Sequence, residues 1–361
     1  MAWRSSSTSA PATDLVALRV AAIGAGGGAT AHFEAAGLTD ALAFVGVLDV
    51  DHQRARDQSD RYRIARCYRD LDELLADDDV DCVAVLTPPD THEALSCAAL
   101  AAGRHVVCEK PLGRTVAECD RMLAAAHAAG RRLLPVHNRL YSHAISRVRE
   151  FVAAGHLGTV LLAQSTGVES PATVDAAPWL RSDVSLGGVL IAQATHPLYV
   201  LRSLLGEVSA VSASRGPSTI EMTGEDTAAV TVAFRSGAIA SLVATFAAAP
   251  GCGDHAIDLY GTAGMLQTTL RDGTRERPER LRGVLPGLFG DEQVHDIELP
   301  PSEGWTTSFH RMWDDYANAI ATGSAALVDP EDGREIVRIV RAAYDSMAEA
   351  RTVSVRPLGS S

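Results

Sequence analysis

Along the first 140 residues, short apolar runs alternate with longer stretches of helical spacing. Residues 19–23, 43–47, 81–87, 105–108 and 133–136 read as five strands. Residues 51–62, 70–78, 91–102 and 115–129 read as the helices after and between them. Pro88-Pro89 must stop the third strand, and Gly103 and Gly130 close two helices. Thr115 and Glu118 stand at capping-box spacing. Strict strand–helix alternation predicts a parallel, doubly wound sheet with right-handed crossovers.

Past residue 140 the pattern changes. A helix is predicted over 142–154, a strand over 159–168 and a helix over 189–205 that carries His196. From 207 to 299 the chain reads as strands. Ala228, Val230, Val232 and Phe234 alternate with residues of the other face, as do Ile239, Ser241, Val243 and Thr245, and Gly237 between them marks a hairpin. Further strands are expected at 256–260, 265–269 and 294–299, and helices at 305–321 and 330–349. Strands without intervening helices imply a mainly antiparallel sheet. The fold class is therefore α/β plus α+β, divided as a tail (1–17), a doubly wound domain (18–140) and an α+β domain (141–361).

Composition narrows the function classes. A chain of 361 residues suits two domains, and 47% hydrophobic with 21% charged residues is ordinary for a globular protein with a sizeable core. The formal net charge is −13 and no basic stripe exists, which argues against nucleic acid or an anionic membrane as a partner. No apolar run reaches the ~18 residues of a membrane span. The six cysteines (Cys67, Cys82, Cys97, Cys108, Cys119, Cys252) form no C-x-x-C pair, which points to buried free thiols, no metal and a cytoplasmic location. Residues 1–14, rich in Ser, Thr, Pro and Ala, read as a disordered tail.

The candidate chemistry begins at the first strand. Gly24, Gly26 and Ala29 fit G-x-G-x-x-G/A, between a strand and a helix. In that motif the first glycine permits the turn, the second admits a pyrophosphate to the backbone, and the third small residue lets helix and strand pack closely. Asp49 ends the next strand 25 positions on (49 − 24), near the offset of the acid that binds the adenosine ribose. An acid there repels a 2′-phosphate, which favours NAD over NADP, and Arg54 and Arg56 nearby soften the preference.

Glu109-Lys110-Pro111 follows the fourth strand, at the sheet edge where open α/β folds bind ligands. Lys110 there has two readings: a proton carrier for a substrate hydroxyl, or a surface lysine paired with an acid. A lone histidine on an apolar helix, such as His196, is by itself more often a core residue, and so are His32, His92 and His137. Asp314-Asp315 are adjacent on a helix and read as a solvated face.

These pieces resemble the Gfo/Idh/MocA oxidoreductases, from about residue 18 to 355. The resemblance is carried by residues 22–29 (AIGAGGGA), 87–92 (TPPDTH), 103–112 (GRHVVCEKPL), 138–139 (NR) and 187–196 (GGVLIAQATH). It implies a Rossmann domain followed by a large open-faced sheet, and a homodimer or homotetramer built through that sheet. It implies that Gly24, Gly26, Gly28 and Ala29 hold the pyrophosphate and Asp49 the adenosine ribose. Thr87, Pro88 and His92 would line the path to the nicotinamide, with Glu109 and Lys110 flanking its ribose and reacting carbon. Lys110 and His196 match the catalytic positions. Asn138, Arg139, Tyr141, Trp179, Arg181, Gln193 and Tyr199 are candidate substrate residues.

The match departs at one place. The acid usually found four residues before the histidine is Ala192, and the one three after it is Tyr199; Gln193 fits an Asn-Gln branch. The proton donor is therefore open between Lys110, Tyr141, Tyr199 and His196. The expected activity is hydride transfer between NAD and a secondary alcohol or ketone of a polyhydroxylated small molecule (a sugar, glycoside, nucleotide sugar or cyclitol). Two rivals are an NAD-binding regulator without redox chemistry and a glycoside-cleaving enzyme with permanently bound NAD. Specificity is expected from loops 168–183, 250–254 and 274–291, with the arginine-rich stretch 271–282 available to an anionic substrate.

Overall fold

In the computed structural model, residues 17–182, 184, 186–270, 279–301 and 305–356 are described; the expected N-terminal tail (residues 1–16) and most of the arginine-rich stretch (271–278) lie outside them. The apolar runs form β1 (Leu18–Ile23), β2 (Leu42–Leu48), β4 (Cys82–Val85), β5 (His105–Cys108) and β6 (Leu133–Pro135), with a two-residue edge strand β3 (Arg66–Cys67) that the polar sequence there did not announce. All pair in parallel, in the order β3-β2-β1-β4-β5-β6. The intervening helices are α1 (Gly27–Ala36), α2 (His52–Tyr62), α3 (Leu71–Leu75), α4 (His92–Ala101) and α5 (Val116–Ala129). The expected stop signals operate: Thr115 and Glu118 form a reciprocal capping box, and Gly130 ends α5 in the left-handed conformation.

The second half begins with α6 (His143–Ala153) and β7 (Val160–Val168), followed by α7 (Ala172–Ala176) and α8 (Thr195–Leu205). Strands β8 (Val208–Arg215), β9 (Thr227–Phe234), β10 (Ile239–Thr245), β11 (Asp254–Gly261), β12 (Met265–Thr269), β13 (Arg280–Val284) and β14 (His295–Asp296) follow, with a single helical turn, α9 (Pro286–Phe289), before β14. Helices α10 (Trp305–Thr322) and α11 (Pro330–Glu349) and a short β15 (Val353–Ser354) close the chain. The nine strands are ordered β14-β13-β12-β11-β7-β10-β9-β8-β15, antiparallel throughout except where β7 lies parallel to β10. The β9–β10 hairpin forms around Gly237 as its alternation predicts, burying Ala228, Val230, Val232 and Phe234.

Helices α10 and α11 are distant in sequence from the parallel sheet but pack on it, α10 against α1 and α11 against α5. The predicted helix over 189–205 is divided: Leu190–Ala194 is a π-helical turn, and α8 starts only at Thr195. The cysteines are free, but Cys67 and Cys252 are exposed, so the buried reading holds for Cys82, Cys108 and Cys119. Asp314 and Asp315 are not merely solvated. Asp314 accepts from Thr39 Oγ1 at 2.6 Å, and Asp315 accepts from Tyr141 Oη at 2.7 Å and the Leu327 N–H at 2.8 Å.

Candidate active site

At the end of β1 the chain must turn under β4. Gly24 takes φ +101°, and a Cβ there would fall 2.7 Å from the Leu86 carbonyl oxygen, so both conformation and space require glycine. Gly26 is the N-cap of α1 and brings no side-chain cap, and no acidic residue lies in the first turn. Cβ atoms at Gly26, Gly27 or Gly28 would meet nothing within 4 Å. This leaves an open cradle at the positive end of a ten-residue helix, a site fitted to a pyrophosphate. Ala29 is fully buried where α1 packs on the sheet. Asp49, buried at the end of β2, accepts the Ala25 N–H at 2.7 Å and the Asp51 N–H at 2.8 Å, with Arg54 at 3.5 Å. The acid thus ties the glycine turn to the edge where an adenosine ribose would lie.

Across the crevice, β5 runs into Glu109. Its Oε2 accepts the Lys110 N–H at 2.9 Å, and its Oε1 lies 3.1 Å from His32 Nε2. The His32 tautomer follows from its other side. Trp313 Nε1–H is a donor only and points at His32 Nδ1 at 3.1 Å, so the ring proton sits on Nε2 and goes to Glu109. Burial pushes the Glu109 carboxyl up, but the His32 bond and the neighbouring Lys110 charge outweigh it, and its pKa falls below the ordinary value. The Lys110–Pro111 peptide is cis. Lys110 Nζ donates to the Ala192 carbonyl at 2.7 Å. Burial, with Arg139 nearby, depresses the lysine pKa against the pull of Glu109 and Glu169.

His92 is fully buried and bridges two backbone carbonyls, Pro111 O at 2.8 Å from Nδ1 and Thr87 O at 2.9 Å from Nε2. Burial, the largest influence, lowers its pKa and keeps the ring neutral, so one of these contacts carries the proton at a time. His92 therefore shapes the crevice by holding the ends of β4 and β5 together through their backbones. Thr87 Oγ1 accepts from the Thr91 hydroxyl at 2.7 Å, and Pro88 leads the short turn into α4.

The third wall comes from the π turn and α8. Gly188 lies so close to Glu225 that a Cβ would clash with the Glu225 backbone. The Glu225 carboxylate caps the turn, accepting N–H groups of Leu190 at 2.9 Å and Gly188 at 3.2 Å. The π turn carries the Ala192 carbonyl that receives Lys110. His196 is buried, with Nδ1 2.9 Å from Tyr199 Oη, which also accepts the Arg139 N–H at 3.1 Å. Among the described residues the Tyr199 hydroxyl proton has only His196 Nδ1 as acceptor, which leaves the imidazole proton on Nε2. Burial first, then the positive charges of Lys110 and Arg139, drives the His196 pKa well below its ordinary value, so the ring is neutral. Its Nε2 is not sealed from solvent and makes no hydrogen bond within the described residues.

The other sequence candidates divide. Gln193 and Arg139 join the site: Gln193 Nε2 donates to Glu169 Oε1 at 2.8 Å, and Arg139 Nη2 donates to His255 Nδ1 at 2.9 Å beneath the Trp305 ring. Asn138 is buried and donates to Ser308 Oγ at 2.9 Å. Tyr141 gives its proton to Asp315, with its pKa raised by burial, which spends the hydroxyl on α10 and removes it from the open question of the proton donor. Arg181 is turned to Asp175 and the Glu221 carbonyl, and Trp179 packs at the edge of the core. Sequence reasoning missed Glu169, His255 and Trp313. The period-two pattern of β11 places His255 on the same inward face as Ile257 and Leu259, which was a usable signal. Glu169 lies just beyond a strand end and gave none.

Comparison with known proteins agrees with this geometry. Residues 18–137 match the model of an oxidoreductase family described as an NAD-binding Rossmann fold, and residues 149–355 match the C-terminal alpha/beta domain of the same family. A myo-inositol 2-dehydrogenase of Thermotoga maritima is 27% identical over 344 residues, covering 94% of this chain and 98% of that protein. The structure of GenD2 from gentamicin A biosynthesis in complex with NAD superposes with a TM-score of 0.81 at 28% identity, covering 96% and 98% of the two chains. Levoglucosan dehydrogenase in complex with NADH and levoglucosan shares the fold with a TM-score of 0.86 at 22% identity, covering 94% of this chain and all (100%) of that one. The chain therefore belongs to the Gfo/Idh/MocA oxidoreductase family, with an NAD-binding Rossmann domain and the family's C-terminal alpha/beta domain.

Proposed function

We propose that this protein is an NAD-dependent dehydrogenase or ketoreductase acting on a secondary alcohol or ketone of a sugar, glycoside, nucleotide sugar or cyclitol. The observation that carries the reading is the meeting of Lys110 Nζ, docked on Ala192 O, with the neutral His196 and with Gln193, across from the open cradle of α1. Residues 18–140 hold the dinucleotide and 141–361 supply the substrate side. Gly24, Gly26, Gly28 and Ala29 form the pyrophosphate cradle, Asp49 takes the adenosine ribose, and Glu109 the nicotinamide ribose. Bound NAD supplies the carbon that accepts or returns a hydride.

Burial lowers the Lys110 pKa and so favours its neutral amine, and in oxidation Nζ would take the proton from the substrate hydroxyl while the carbon bearing that hydroxyl gives up its hydride. In reduction, Lys110 returns the proton. His196 Nε2–H donates to the substrate oxygen and orients it. Arg139 and Tyr199 keep His196 in that tautomer. The 27% identical relative is named for myo-inositol, a cyclitol, and this supports the polyol class. Leu162, Ile239 and Val243 lie exposed on the open face of the second sheet, which supports assembly of two or four copies through that face.

The test pairs calorimetric titration of NADH with an assay of nicotinamide absorbance on a panel of cyclitols, aldoses and glycosides, in wild type and Lys110→Ala. The expected result is turnover of at least one polyol, reduced on the order of a hundredfold or more by the substitution, with NADH affinity retained. NADH binding without turnover of any panel member by the wild type would refute the proposal.

A further inference from the structure

The acidic groups near Lys110 are Glu109 and Glu169; Ala192, whose carbonyl receives the lysine, brings no carboxylate. Glu109 is already occupied by His32 and by its own following N–H. Glu169 is the other, one residue past β7 and buried, and it stands at the centre of a layer of polar groups between the second sheet and the π turn.

The chemistry of that layer fixes each proton. Arg139 can only donate, so His255 Nδ1 is the acceptor at 2.9 Å, and the His255 proton sits on Nε2. His255 Nε2–H then donates to Glu169 Oε1 at 3.0 Å. Gln193 lies 2.8 Å from the same oxygen through its amide nitrogen, because a carboxylate can only accept. Glu169 Oε2 is held by the Thr173 hydroxyl. His255 is itself locked in the sheet, opposite Gly167 on β7. With its nitrogen committed to Glu169, Gln193 turns its carbonyl oxygen the other way. That oxygen makes no hydrogen bond within the described residues and is not sealed from solvent. It sits one turn of helix from His196, whose Nε2 is in the same condition.

We infer that Glu169 and His255 are positioning residues that clamp the Gln193 amide, so that its oxygen faces the crevice as an acceptor for a second substrate hydroxyl. The inference rests on the polyol reading above. The pairing then has a chemical sense. His196 Nε2–H donates to the reacting oxygen, while Gln193 Oε1 accepts from a neighbouring hydroxyl, a donor–acceptor pair matched to a vicinal diol. An unclamped glutamine would present oxygen or nitrogen indifferently and lose that discrimination. The carboxylate clamps from beneath, and does not itself touch the substrate.

The test uses the full-length protein labelled with 15N at its six glutamines, in wild type, Glu169→Leu and the conservative Glu169→Gln, which keeps one acceptor oxygen. The Gln193 amide signal is assigned by its loss in Gln193→Met. Three quantities are measured: hydrogen exchange of that amide, the NADH dissociation constant, and kcat and KM for the panel polyol that turns over best. In Glu169→Leu, Gln193 amide exchange should accelerate and KM should rise, each by at least about tenfold, with NADH affinity changed less than threefold. Glu169→Gln should recover most of both. A folded Glu169→Leu with unchanged Gln193 exchange, or with KM unchanged, would overturn the inference. Should Glu169→Leu fail to fold, the Glu169→Gln protein decides, since loss of the charge must still speed exchange measurably; no change overturns the clamp. Absence of turnover in the wild type sinks the polyol reading and leaves the clamp to be judged on the exchange data, so the two failures are distinct.

Discussion

Replacing Ala192 by aspartate examines the assignment of Lys110 directly. The Ala192 carbonyl already receives Lys110 Nζ at 2.7 Å, and the residue is nearly buried. For a carboxylate carried on the same residue, a separation of roughly 5 Å from the ammonium sets the scale of the effect. With an effective dielectric constant of about 20, two unit charges at that separation attract by about 3 kcal/mol, or about two pKa units on the lysine. Burying the new carboxylate takes back part of this, which leaves an expected rise of about one to two units. Lys110 begins below its ordinary value, held down by burial.

The sign follows from the protonation state that does the work. In alcohol oxidation Lys110 must arrive as the neutral amine, so kcat/KM rises with pH through the lysine pKa. Raising that pKa moves the limb to higher pH by the same amount. The measurement is the pH profile of kcat/KM for polyol oxidation in wild type, Ala192→Asp and Ala192→Asn, the last matching the size without the charge. An alkaline displacement confined to Ala192→Asp supports the assignment. An equal displacement in Ala192→Asn, or an acid displacement in Ala192→Asp, would mean that Lys110 does not set the limb.

Three further outcomes are expected. Gly24→Ala forces a side chain into positive φ and against Leu86 O, and should cost more than about 1 kcal/mol of stability and abolish measurable NADH binding, read by thermal melting and nicotinamide fluorescence. Asp49→Asn replaces a carboxylate that holds two backbone N–H groups with an amide that can face only one properly; NADH affinity should fall about tenfold or more, and the NADH-to-NADPH preference should narrow in parallel titrations. Trp313→Phe leaves His32 Nδ1 a buried acceptor without its donor and should lower stability by about 1–3 kcal/mol in chemical denaturation, a value near zero counting against the tautomer assigned here.

What the sequence displays and what it conceals divide along the range of the interactions. The glycine turn, the β2 acid, the capping box of α5 and the β9–β10 hairpin are each specified within a few residues, and each forms where its signal stands. Lys110 and His196 came from local motifs too. The buried pairings around them did not. Glu169 meets His255 across 86 positions, Tyr141 meets Asp315 across 174, and Trp313 meets His32 across 281. No periodicity links such pairs, because what joins them is the stacking of one element on another. The π turn was hidden for another reason. Its residues 190–194 have ordinary helical spacing, and the glutamate that caps the turn, Glu225, lies 35 positions away.

The two buried histidine relays give the site a common electrostatic logic. In each, a group that can only donate (the Trp313 indole or the Arg139 guanidinium) faces Nδ1 and sends the imidazole proton from Nε2 to a glutamate, Glu109 on the cofactor side and Glu169 on the substrate side. Each glutamate is thereby held in one orientation by a neutral ring, and its charge is left to balance a nearby cation, Lys110 or Arg139. Two fixed anions and two cations make an interior with almost no net charge. Such an interior strongly attracts neither an anionic nor a cationic substrate, and leaves discrimination to hydrogen-bond direction. A neutral polyol, whose hydroxyls differ only in where they donate and accept, is the substrate class that this balance suits.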